Sequence, residues 1–208
     1  MKFPHSITYH RDLLVINPKH LCVVDDRPLL FLAGPIHAAP RWQDHAIRYL
    51  AKTAPDIAVA TPRWMNWIEL RCDESFEPEY AFFRQRPWEK YYMTRAAGGG
   101  AILFWLACPD PEYLRPGMVY SATTRFELGE WMTRCSLDPS IPLEIGAEED
   151  FPTLRTIQYD LYDLMGAYET HKKLESLLDA AVLRARDRFS GYRPDPFNPE
   201  LINGLERV

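Results

Sequence analysis

Continuous apolar runs alternate with apolar stripes along this chain, and that alternation predicts its elements. Pro28-Leu-Leu-Phe-Leu-Ala33 is a short apolar run that stops at Gly34-Pro35. A run bounded by turn residues reads as a strand buried on both faces. Trp42, Ala46, Tyr49, Leu50 and Thr53 then share one face at helical spacing. Ile57-Ala-Val-Ala60 reads as a second buried strand, ended by Thr61-Pro62. Pro87 suits the first position of a helix running to about Ala97, with Trp88, Tyr91, Tyr92, Arg95 and Ala96 turned inward. Ala101-Ile-Leu-Phe-Trp-Leu106 is the third strand, followed by a helix from Thr124 to about Arg134. Ile141-Pro-Leu-Glu-Ile145 predicts a fourth strand, and a fifth is expected near Thr156–Tyr159. Leu174, Leu177, Leu178, Ala181, Val182 and Ala185 form an amphipathic stripe, with Thr170 as the expected cap. Leu13-Leu-Val-Ile16 is β-prone and predicts an added edge strand.

Strands and helices in this order imply an α/β protein, with a parallel sheet of about five strands and helices on both faces. Ligands bind beyond the carboxyl ends of such strands, where the strand order switches. The loops after Ala33, Ala60 and Leu106, and the segment leading to Glu127, are therefore expected to line the site. No internal repeat or low-complexity linker interrupts the 208 residues, so a single domain is expected over the whole length. Residues 1–26 read as an N-terminal extension, and residues 189–208 as a C-terminal arm that is extended around Gly191-Tyr-Arg-Pro-Asp-Pro-Phe197.

Composition narrows the function classes. With 47% hydrophobic and 25% charged residues the chain can bury a sizeable core. Its net charge of −5 argues against a nucleic-acid polymer as partner, since backbone binding normally needs a basic face. Cys22, Cys72, Cys108 and Cys135 form no CxxC pair, and the histidines show no HxxxH spacing. No metal site is expected, and reduced thiols fit a cytoplasmic protein. The polar start lacks a signal-type apolar region. The longest apolar stretch, from Ala96 to Cys108, is too short to span a bilayer and contains Gly98-Gly99-Gly100, so no membrane partner is expected. Neither a GxGxxG nor a Walker motif is present, and no cofactor is expected.

Glu127, within Ser121-Ala-Thr-Thr-Arg-Phe-Glu-Leu-Gly-Glu130, falls in the first turn of the predicted helix. Free N–H groups and the helix dipole keep a carboxylate ionised there, as attack on an anomeric carbon requires. Thr124-Arg-Phe-Glu127 reads equally well as a capping box, in which the glutamate serves its own helix. Glu89 is expected in a first helical turn as well, where an acid is favoured on structural grounds alone. Leu32-Ala-Gly-Pro-Ile36 is a strand-to-loop turn that a ligand can approach, and also an ordinary loop sequence. Arg63 is a candidate for holding a phosphate or hydroxyl, or else a solvated surface arginine. Trp64, Trp67, Phe82, Phe83, Trp88 and Trp105 are able to stack on a base or simply to fill a core.

Taken in order, Phe31-Leu-Ala-Gly-Pro-Ile36, Trp42, Thr61-Pro-Arg63, Trp88-Glu89, Ala96, Ile102-Leu-Phe-Trp-Leu106 and Phe126-Glu-Leu-Gly129 resemble the nucleoside 2-deoxyribosyltransferase family, in its broader bacterial and phage branch. The resemblance covers residues 30–146 and implies a flavodoxin-like three-layer sandwich. It implies that Glu127 is a nucleophile that attacks C1′ and forms a glycosyl ester, resolved by a second base or by water. Glu89 then matches the acidic position that handles protons on the base. Ala33, Gly34, Pro35 and Ile36 match the segment against the sugar and base, and Arg63, Trp105 and Ser121 become substrate-binding candidates. The implied partner is a small nucleoside or nucleotide, and the implied assembly is a homo-oligomer. Two positions depart from the pattern. Ser121 stands where the transferases carry an aspartate, and Leu30 stands where they carry a tyrosine. The departures keep three alternatives open: nucleotide N-glycoside hydrolysis, NAD cleavage, and a catalytically silent nucleotide-binding protein on the same fold.

Overall fold

In the computed structural model, which describes residues 8–10, 12–18, 24, 26–63, 78–166 and 169–191, the apolar runs become strands and the stripes become helices. The chain runs β1 (Thr8–His10), β2 (Leu13–Ile16), β3 (Leu29–Ala33), α1 (Trp42–Thr53), β4 (Ala58–Ala60) and α2 (Pro78–Gly99). It continues through β5 (Gly100–Leu106), α3 (Ala122–Leu137), β6 (Leu143–Ala147), α4 (Leu154–Met165) and α5 (Leu174–Ser190). The strands form one sheet in the order β1-β2-β4-β3-β5-β6, in which only the β1–β2 pair is antiparallel.

The period-2 alternation of β3 and β5 sorts the core into two layers. Leu29, Phe31, Ala33, Ile102, Phe104 and Leu106 pack with residues of α2, α3 and α4. Leu30, Leu32, Ala101, Leu103 and Trp105 pack with α1 and α5 on the other face. Burying a leucine such as Leu30 or Leu32, both 0% exposed, contributes about 1.5–3 kcal/mol each. With the sheet covered on both faces, the protein is a flavodoxin-like three-layer α/β sandwich. The run β4-β3-β5-β6 follows flavodoxin-type strand order, and the order switches between β3 and β5. Among the described residues no helix is long and apolar enough to cross a membrane.

Several elements differ from the sequence-based expectation. The expected fifth strand at Thr156–Tyr159 lies inside α4, because Ile157 and Leu161 are its buried positions and recur at helical spacing. Its place beside β6 is held by a single bridge, with the His171 N–H donating to Ile145 and the Ala147 N–H donating to His171. The fifth parallel strand is instead β2, at the opposite side beside β4. It is not an edge strand, since β1 covers it. This His171 tie also explains why Thr170 does not cap α5: the chain is still extended there, and the helix starts after Lys173. α2 begins at Pro78, so Pro87 is internal, where it removes one helical hydrogen bond without ending the helix. α3 begins at Ala122, two residues before the expected start.

Candidate active site

The earlier helix starts change the setting of both glutamates. Glu127 lies in the second turn of α3 rather than the first, and Glu89 lies midway along α2. The expected capping box does not form. The residue before α3 is Ser121, in a left-handed conformation with φ 60°, and it makes no side-chain cap bond. Glu127 has turned away from its own helix terminus toward α2, where its Oε1 accepts from Nη1 of Arg86.

Both carboxylates face inward for the same reason. On α3 the buried stripe is Thr124, Glu127, Leu128, Trp131, Met132 and Cys135. On α2 it includes Trp88, Glu89, Tyr92, Met93 and Ala96. Among the described side chains these stripes are otherwise apolar apart from Thr124, and in each a glutamate takes a core position. The helices are tied lower down by the Trp131 indole N–H, which donates to the sulfur of Met93 at 3.0 Å. From Arg86 to the end of α2 at Gly99 is about 20 Å at helical rise. The seven residues of β5 span about 23 Å. Arg86 and Glu89 therefore stand near the carboxyl end of the sheet.

One guanidinium nitrogen joins the pair. Nη1 of Arg86 donates to Oε2 of Glu89 at 2.7 Å as well as to Glu127. Sharing one nitrogen keeps the two acceptor oxygens within about 6 Å of each other. Glu89 is 6% exposed and Glu127 8% exposed. Burial pushes the Glu89 carboxyl above the ordinary carboxylate range, opposed by the hydrogen bond from Gln85 and by the charge of Arg86. Gln85 Nε2 donates to Glu89 Oε1 at 2.8 Å and to the Pro62 carbonyl at 3.3 Å, which fastens the acidic pair to the segment leaving β4.

A polar chain continues across the ends of β4 and β3. Arg63, half-buried, donates from Nη1 to Gln43 Oε1 and to the Pro40 carbonyl, each at 3.4 Å. Burial, and then the neighbouring Arg41, lower the pKa of its guanidinium. Gln43, 0% exposed, donates in turn to the Pro35 carbonyl at 3.4 Å. Trp42 donates to the same oxygen at 3.0 Å, so the turn after β3 is held from α1. Gly34 has φ +152°, and a Cβ there would lie 2.4 Å from the Trp105 carbonyl oxygen and 2.6 Å from the Trp42 ring. The open side of this glycine is thus filled by protein. Ala33, Gly34 and Pro35 are buried and Ile36 is half-buried.

A scan against protein-family models finds no match, and a search of curated proteins finds no relative.

The structure brings together Glu127 and Glu89, and links them through Gln85 and the 61–63 segment to Arg63 and the turn at Gly34-Pro35. Trp105 lies on the opposite face of the sheet from both glutamates, packed with α1 and α5. Ser121 sits just ahead of α3, its Oγ buried and without a partner among the described residues. Trp64 and Trp67, and the side chains of Phe82 and Phe83, lie outside the described residues, as do Cys22, Cys72 and the arm after Gly191. Among the described residues no group of three or more His, Cys, Asp or Glu is placed to hold a metal ion. Sequence reasoning missed Arg86, Gln85 and Gln43. The legible signal was the spacing Gln85-Arg86-x-x-Glu89, which points two donors at one acid on a single helix face.

Proposed function

We propose that this protein cleaves or exchanges the N-glycosidic bond of a nucleoside or nucleotide, with Glu127 as nucleophile and Glu89 as acid–base. The observation that supports this most is the pair of buried glutamates joined at Arg86, on the ligand end of a parallel sheet. Retaining glycosyl transfer uses two carboxyl groups roughly 5–5.5 Å apart, one as nucleophile and one as proton donor. The shared nitrogen sets the two carboxyl groups side by side, as that chemistry requires. The Glu127 carboxylate would attack C1′ and the base would leave with the bond's electron pair. Glu89 would supply the base with its proton, and water or a second base would then release the sugar from the ester. Homo-oligomeric assembly and a cytoplasmic location belong to the same proposal.

The test is to incubate the protein with deoxynucleosides, ribonucleosides, 5′-nucleotides and NAD+, each with and without a second base, and to separate the products. Released base or a new nucleoside is expected, and Glu127→Ala is expected to abolish it. No product from any substrate, or full turnover by Glu127→Ala, would overturn the proposal. The ion pair supports a second reading, because a carboxylate held by a guanidinium is a weaker nucleophile than a free one. That reading is a nucleotide-binding protein without turnover. Calorimetric binding of a 5′-nucleotide with no product after long incubation would favour it.

A further inference from the structure

Arg86 has an unusual connectivity for a structural ion pair. It spends one nitrogen on two carboxylates from different helices, although a guanidinium can grip a single carboxylate with two. Its side chain is 20% exposed, while those of Glu89 and Glu127 are 8% and 10% exposed. The guanidinium is thus the most exposed member of the three. The geometry points to Arg86 as a shared counter-ion that transfers its charge compensation from Glu127 to Glu89 as the glycosidic bond breaks. It is a positioning residue for both carboxylates, and the inference rests on the glycosyl-transfer reading above.

The charge balance explains why sharing helps. Before reaction, an ionised Glu127, a protonated Glu89 and Arg86 sum to zero. When Glu127 bonds to C1′ it becomes a neutral ester, the C1′–N bond breaks, and the departing base takes the Glu89 proton. Glu89 is now the anion, Arg86 is still the cation, and the sum is again zero. No net charge is created in a buried site, where an uncompensated ion is strongly disfavoured. In the second half-reaction water or the incoming base gives its proton to Glu89 as it attacks C1′. The Glu127 carboxylate then leaves and regains Arg86. Burial supports the starting state by favouring the protonated form of Glu89. The charged groups facing Glu89 among the described residues are Arg86 on its own helix and, through Arg86, Glu127 on α3. Gln85 and the Pro62 carbonyl bring no charge.

The test reads the carboxyl groups directly, by carbon NMR titration of protein labelled at the glutamate side-chain carboxyl. Resonances are assigned with Glu89→Gln and Glu127→Gln. In Arg86→Met the midpoints of both Glu89 and Glu127 are expected to rise by about one unit or more, the effect of removing an adjacent opposite charge. Arg86→Lys, which keeps the charge, should return part of that rise and guards against a fold lost in the methionine variant. In Glu127→Gln, whose neutral amide stands in for the ester, the Glu89 midpoint should fall by about one unit or more. A midpoint that stays put for either acid in Arg86→Met, or for Glu89 in Glu127→Gln, overturns the shared role. These titrations need no substrate, so they decide the role of Arg86 even if the wild-type protein turns over no nucleoside. Conversely, turnover with unmoved midpoints keeps the glycosyl-transfer reading and removes this one.

Discussion

Replacing Gly34 by Ala tests whether the turn after β3 is as tightly closed as described. Two effects act together. The new Cβ would lie 2.4 Å from the Trp105 carbonyl oxygen and 2.6 Å from Trp42 Cζ2, both far inside contact distance. Forcing one carbon into such a space costs about 1–3 kcal/mol. The backbone at φ +152° is also one that side-chain-bearing residues rarely adopt, at a further cost of about 1–3 kcal/mol. The sum is near 4 kcal/mol, a large part of the roughly 5–15 kcal/mol that holds a domain folded. For a chain of this size it corresponds to a melting temperature lower by about 8–16 °C. Thermal and urea unfolding followed by circular dichroism measure it. Trimming Trp42 to Ala in the same chain should not restore stability, because the closest atom is a backbone oxygen of β5. A loss under about 1 kcal/mol, or rescue by the Trp42 change, would refute the reasoning.

Glu89 gives a pH dependence of defined sign. Its folded pKa is raised by burial, so its contribution to stability is present below the ordinary carboxyl value of 4.5 and is lost as pH rises through the folded value. Urea unfolding across that range should show this decline in wild type and its absence in Glu89→Gln. The Cys108 thiol is pushed up to about 11, first by burial and then by Glu148, which leaves about one thiolate per thousand at pH 8. Iodoacetamide labelling read by peptide mass spectrometry should therefore be slow at Cys108, and faster in Glu148→Gln. Glu144, 5% exposed, accepts from His171 and pairs with Arg184, so it ties β6 to the bridge segment and to α5. Its replacement by Ala should cost about 1–3 kcal/mol, measured by urea unfolding.

The layers were legible because β3, β5 and α5 obey simple periodicities with no competing signal. What failed did so where a local rule met a tertiary constraint. Pro87 reads as a helix start, yet α2 runs through it, because Trp88, Tyr92 and Met93 continue a stripe that the sheet buries. Thr124 reads as a cap, yet the helix begins at Ala122 and leaves Thr124 buried on its inward face. The run near Ile157 looked like a strand because one apolar residue among polar ones fits either period at short length. Glu127 and Glu89 were both visible, but their relation was not. It depends on α2 and α3 lying side by side, a long-range fact that sequence spacing does not carry. Arg86 escaped notice because an arginine in the charged stretch Arg84-Gln-Arg-Pro-Trp-Glu-Lys90 looks like solvated surface.

The bridge at His171 has a consequence for how copies of this protein meet. A sheet edge exposes unpaired N–H and C=O groups that invite another strand. Along β6 the Ile145 carbonyl and the Ala147 N–H are already taken by His171, at 3.0 and 2.9 Å. At the far side β1 offers three residues among those described, too few to template an extended pairing. The long strand β5 lies inside the sheet, between β3 and β6. Among the described residues both rims thus offer few free pairing groups, which disfavours edge-to-edge addition of another strand.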